Sequence, residues 1–145
     1  MRASTNRLSG CAAILLCVFA APGSTNAQSA PSVQLIQQLE SQFGLTDRQV
    51  RGALGALLVY VRERLPKKDF DDFSQRIPNA AQIMQDVKLQ GIVTKPLDTI
   101  DDYEASLASL GIGQPLASQF APAVVKHLGD AGYYRERDIL ARALN

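Results

Sequence analysis

Apolar residues recur along this chain at steps of three and four, and glycine, proline and hydroxylated residues fall between the runs, dividing the sequence into short amphipathic helices. The strongest run is Val50, Leu54, Leu57, Leu58, Val61 and Leu65, set within the uncharged stretch 52–61. Gly52, Gly55 and Ala56 lower the other side of that helix, so neighbouring helices can approach it closely. Thr46 followed by Gln49 forms a capping box at its start, and Pro66 stops it after Leu65. The pattern therefore predicts a central helix over about 46–65.

The remaining segments read in the same terms. Ser32 caps a first helix with Val33, Ile36, Leu39 and Phe43 on one face, ended by Gly44. Residues 67–77 give a third helix through Phe70, Phe73 and Ile77, closed by Pro78, and residues 79–90 a fourth through Ile83, Met84 and Val87. Glycine, β-branched residues and proline follow one another over 91–98, which disfavours helix and predicts an extended connection, the expected internal boundary. Thr99 with Asp102 caps a further helix that turns Ile100, Tyr103, Leu107 and Leu110 inward and ends at Gly111. Pro115 then opens a helix carrying Leu116, Phe120, Val124 and Leu128 as far as Gly129, with Pro122 expected to kink or restart it. A last helix from about 132 carries Tyr133, Ile139, Leu140 and Leu144. The expected fold is all-α: a single compact bundle of six or seven short helices around the Gly/Ala/Leu-rich one.

A shift of 67 residues lays the first half over the second: Val33 on Ile100, Phe43 on Leu110, Gly44 on Gly111, Leu45 on Ile112, Leu57 on Val124 and Val61 on Leu128. Two readings stand open, two pseudo-repeated halves or helix grammar shared by any amphipathic pair.

The chain begins differently. Arg2 and Arg7 precede an apolar stretch over 8–22 and a small-residue segment ending at Ala27, the three-part pattern of a secretory signal peptide. The expected organisation is a signal peptide over 1–27 cleaved between Ala27 and Gln28, a disordered polar lead over 28–31, and a helical domain over 32–145. The sequence Leu8-Ser9-Gly10-Cys11 spells a lipoprotein attachment box, but the apolar core of the leader follows Cys11 instead of preceding it. The product is expected in the periplasm or outside the cell. The leader is shorter than the ~20 apolar residues of a membrane span, and the central run is bounded by Arg51 and Arg62.

Removing the leader takes both cysteines, Cys11 and Cys17, so packing alone must stabilise the domain. It also leaves 13 basic residues against 14 acidic ones, a balance that offers nucleic acid or an anionic membrane no attraction.

Candidate chemistry is sparse. His127 is the only histidine and has Asp130 nearby in sequence, which allows a base oriented by an acid, but a histidine favoured by a helix C-terminus accounts for it better. Without cysteine, zinc is not expected. The acidic clusters Asp69, Asp71, Asp72 and Asp101, Asp102, Glu104 lie in first helical turns, where the helix dipole favours them. The sequence contains no calcium-binding loop, nucleophile elbow, phosphate loop or dinucleotide fingerprint. No catalytic residue, metal or cofactor is therefore expected, and the chain reads as a non-enzyme.

Two basic groups remain, one around Arg62 and Arg64 with Lys67 and Lys68, the other Arg135 and Arg137 beside Tyr133 and Tyr134. Tyrosine next to arginine is the composition of binding hot spots. Arg62, Arg64, Tyr133, Tyr134, Arg135 and Arg137 thus form the candidate surface for a protein partner or for self-association. The alternative is a carrier holding a small apolar ligand between helices, beside Gly52, Gly55 and Ala56 and walled by Tyr60, Phe73 and Phe120.

The segments 43–46 (Phe-Gly-Leu-Thr) and 52–58 (Gly-Ala-Leu-Gly-Ala-Leu-Leu), with Gln49-Val50, Asp69-Phe70, Phe73-Ser74 and Ile77-Pro78, resemble the VcgC/VcgE family, a bacterial domain of unknown function. Leu110-Gly111-Ile112 and Phe120-Ala121-Pro122 look like that family's closing helices. The resemblance covers most of residues 33–144; it implies export and a helical fold and carries no catalytic residues with it.

Overall fold

The Thr46 hydroxyl accepts the Gln49 backbone N–H at 3.3 Å while the Gln49 side-chain oxygen accepts the Thr46 N–H at 3.0 Å, and this reciprocal cap starts the central helix. In the computed structural model, which describes residues 31–77 and 79–145, that helix is the second of seven. They are α1 (Pro31–Phe43), α2 (Asp47–Arg64), α3 (Lys67–Ser74), α4 (Ala80–Leu89), α5 (Ile100–Ala108), α6 (Leu116–Asp130) and α7 (Tyr134–Leu144). The described residues contain no strand, and none of their helices is long and apolar enough to cross a membrane.

Every residue of α2 from Gly52 to Val61 is buried, so the helix is enclosed on all sides, as one without a polar face must be. Gly55 makes this enclosure fit. A Cβ there would sit 2.5 Å from Val87 Cγ1 and 3.0 Å from the Ile83 carbonyl oxygen, so α4 lies against bare backbone. Gly52 receives the Leu110 side chain in the same way, and Gln49 donates its side-chain amide to the Leu110 carbonyl at 3.0 Å, fastening α2 to the end of α5.

Aromatic pairs join the remaining elements. The Phe43 and Phe120 rings stand 6.0 Å apart between α1 and α6, and Tyr60 and Tyr103 stand 5.9 Å apart between α2 and α5. The Tyr103 hydroxyl is wholly buried without a hydrogen-bond partner, and burial pushes its ionisation far up. Helices α6 and α7 pack together at the far side, and α3 closes against α7.

Several local expectations need correction. Pro31, expected in the polar lead, belongs to α1. Val33 and Ile100 are exposed, although periodicity turned them inward; each lies in the first turn of its helix. Helix α3 stops at Ser74 rather than Ile77, because Arg76 and Ile77 bond three residues back and tighten the last turn. Pro122 does not restart α6: the helix is continuous and the proline is exposed. The 91–98 connection forms no strand; Ile92 and Val93 both donate to the Val87 carbonyl, and Ile92, Val93 and Leu97 are buried in the core. The expected leader over 1–27, its cleavage between Ala27 and Gln28, and residues 28–30 lie outside the described residues.

The 67-residue shift has a counterpart in the order of the helices. It aligns the helix bounds of α1, α2 and α3 with those of α5, α6 and α7 along the chain, and carries Gly44 onto Gly111, both at positive φ (65° and 78°) just past a helix. Helices pack both within and between the halves: α1 lies against α2 and α6, and α5 against α6 and α2. Helix α4 has no partner in this correspondence.

Candidate functional site

Charged side chains collect where α3 meets the start of α7. Arg76, in the tightened turn after α3, donates through Nε to Glu136 Oε1 at 2.8 Å, and its guanidinium carbon lies 4.7 Å from the Tyr133 ring centroid. The Glu136 side chain is 8% exposed, so the arginine is what makes its burial tolerable. Burial raises the Glu136 carboxyl, but the Arg76 hydrogen bond, a backbone hydrogen bond and the charges of Arg76 and Arg135 outweigh it and hold the group below the usual carboxylate range. The bond to Glu136, in turn, raises Arg76 against its own desolvation.

Beside this buried pair, Arg135 reaches Asp72 at 2.7 Å, and Lys68 reaches the same carboxylate at 2.9 Å. The Lys68 bond, with the surrounding cations, holds Asp72 low despite some desolvation. Two residues after Arg135, Arg137 bonds Asp138 at 2.6 Å and lies 5.3 Å over the Tyr134 ring. Tyr134 is 61% exposed and carries the only exposed aromatic ring among the described residues.

The structure splits the surface expected from sequence. Tyr133, Tyr134, Arg135 and Arg137 share one helix end. Arg62 instead pairs with Glu63 at 3.4 Å, and Arg64 donates to the Asp98 carbonyl at 2.8 Å with its guanidinium 4.7 Å over Tyr60. Among the described residues, no hydrogen bond or ion pair of Arg62 or Arg64 reaches the Tyr133 group. Arg76 and Glu136 were missed by sequence reasoning, and Asp72 was read only as a charge favoured by its helix dipole, not as the partner of Arg135. Sixty residues separate Arg76 from Glu136, and nothing in either neighbourhood signals the pair.

The residues proposed as an apolar pocket are all buried, and protein atoms fill the notch among them. Gly52 holds Leu110, Gly55 holds Ile83 and Val87, Tyr60 packs on Tyr103, and Phe120 on Phe43. Ala56 and Phe73 have no exposed surface.

His127 is bound across the bundle. Its Nδ1 lies 2.6 Å from the Gln38 side-chain oxygen on α1, while Asp130 is engaged by Lys126. Partial burial, with Lys126 nearby, lowers the imidazole pKa against the pull of Asp130. The acidic clusters are likewise engaged: Asp71 by Lys67, Asp72 by Lys68 and Arg135, and Asp102 by Thr99 and Lys95. Among the described residues, no group of three His, Cys, Asp or Glu side chains is placed to hold a metal ion.

Fold and surface together define a class: an all-α bundle with a fully enclosed central helix and an arginine-stapled helix end that presents one exposed tyrosine. Within that class the chain belongs to the family described as protein of unknown function VcgC/VcgE (DUF2780), whose model matches residues 18–144. No curated protein and no solved structure gives a significant match.

Proposed function

We propose that this protein is an exported, non-enzymatic module of the cell envelope or extracellular space that binds another protein, a second copy of itself included, through the start of α7. The observation that carries the reading is Tyr134, a large aromatic held 61% exposed. Its helix is pinned from behind by Arg76–Glu136 and Arg135–Asp72, and Arg137 lies over its ring. A tyrosine on a pre-ordered support loses little conformational freedom on binding, and tyrosine with arginine is the usual composition of an interface anchor. Export rests on the leader pattern of residues 1–27. The reading as a carrier of a small apolar ligand is weaker, since Leu110, Ile83 and Val87 occupy the notch it needs.

Native mass spectrometry of the protein recovered from the periplasm or medium tests this. A multimer or a defined second polypeptide is expected, and Tyr134→Ala should abolish it while leaving helical content intact, because Tyr134 is largely exposed and lies outside the core. A bare monomer, or an assembly that survives Tyr134→Ala, overturns the proposal. Tyr133 and Arg135 are poor test positions, since removing either disturbs the α3–α7 staple.

A further inference from the structure

A cleft of about 230 Å³ runs between the first turns of α2 and the outer side of α4. Its floor is apolar and buried, formed by Gly52, Ile83 and Val87. The α2 wall is cationic. Arg51 gives its Nε to both carboxylate oxygens of Asp47 at 2.8 Å, which leaves its two terminal nitrogens without a partner among the described residues. Arg48 beside it is exposed and makes no hydrogen bond or ion pair among the described residues.

The α4 wall presents Gln82, Asp86 and Gln90, spaced four apart and so in line along one face. Asp86 Oδ1 accepts from the Gln82 amide at 2.8 Å, leaving Oδ2 open. Asn79 stands at the head of this line in the left-handed conformation (φ 54°), its side chain uncommitted to the helix cap.

The lining thus sets a free cation and a half-free carboxylate on opposite walls, above an apolar floor and beside amide groups that both donate and accept. Two arginines and two carboxylates balance, so a polyanion such as a nucleotide gains little there. A ligand with one charge of each sign fits better. The eight steps from Gln82 to Gln90, the C-cap of α4, rise ~12 Å, and extended peptide advances ~3.3 Å per residue, so a peptide of two or three residues fits within the length of the groove.

We propose that this cleft binds a short zwitterionic peptide. Its carboxylate lies toward Arg48 and its amine toward Asp86, the side-chain amides of Gln82, Gln90 and Asn79 meet its peptide groups, and an apolar side chain rests on the Gly52, Ile83 and Val87 floor. The site is separate from the α7 surface, and neither assignment depends on the other.

The test is a titration of the domain with the free dipeptide Ala-Leu, followed by amide NMR. Half-saturation is expected at about 1 mM or below, with the shifts confined to Gly52, Ile83, Val87 and the side-chain amides of Asn79, Gln82 and Gln90. Acetylating the amine or amidating the carboxylate of Ala-Leu should weaken binding at least tenfold, as should Arg48→Gln and Asp86→Asn. Arg48 is exposed and Asp86 half-buried, and unchanged amide dispersion shows that the fold has survived both substitutions. Absence of localised shifts by about 10 mM overturns the proposal. So does equal affinity for the blocked peptides, or tighter binding of adenosine monophosphate.

Discussion

Helices α2 and α6 occupy corresponding places under the 67-residue shift, yet one is enclosed on every side and the other on one. Helix α2 is buried continuously from Gly52 to Val61, whereas α6 buries Ala117, Phe120, Ala121, Val124 and Leu128 and leaves Ser118, Gln119, Pro122 and Lys126 in solvent. The sequences differ where the burial does. Gly52 and Gly55 of α2 correspond to Gln119 and Pro122 of α6. A helix without side chains on one side admits a neighbour at backbone distance, and α4 takes that place on α2; the matching side of α6 carries an amide and a proline ring and stays open. Two small residues thus turn one half-exposed helix into the centre of the bundle.

The largest break in this comparison comes from filling the notch. Gly55→Val drives a branched side chain against the Ile83 carbonyl and should cost about 3 kcal/mol in urea unfolding, the upper range for overpacking. The corresponding change on the open helix runs the other way: Pro122→Ala restores a backbone donor inside α6 and should stabilise by about 1–2 kcal/mol. A loss of stability there would show that the proline is held by contacts the comparison overlooks.

A smaller effect sharpens the pairing of α1 with α5. Ile36 of α1 corresponds to Tyr103 of α5, and both are buried, but only the tyrosine carries a polar atom, and that atom is unpartnered. Tyr103→Phe should therefore stabilise by about 1 kcal/mol in the same measurement.

The pH dependence of the α3–α7 staple is the smallest effect. Glu136 is held below its ordinary value, so its contribution to stability is complete above the unfolded carboxylate range and is lost as pH falls through the lower folded value. Stability measured from pH 6 downward should decline more shallowly in Glu136→Gln than in the parent chain. An identical slope would remove the staple as a source of acid sensitivity.

Legibility followed distance along the chain. Both threonine caps, at Thr46 and Thr99, and the glycine ends at Gly44 and Gly111 were readable because each is settled within about four residues. The inward faces of most helices were readable for the same reason. Periodicity failed at Val33 and Ile100, where it continued into first turns that stay exposed. The arginine and tyrosine surface was half legible: the run from Tyr133 to Arg137 shares one helix end by sequence alone, but its attachment through Arg76 and Asp72 joins residues 60 and 63 positions apart.

By itself, then, the sequence determined an all-α chain, the threonine-capped starts and glycine-marked ends of its helices, and a central helix able to accept close neighbours, because capping, turn geometry and periodicity act over a few residues. Only the tertiary structure decided that α4 and Leu110 fill the glycine notch, that Arg64 serves Tyr60 and Asp98 while Arg76 and Arg135 secure α7, and that Tyr134 is left outside. Those outcomes depend on which helices the packed core brings together, and no local energy specifies that.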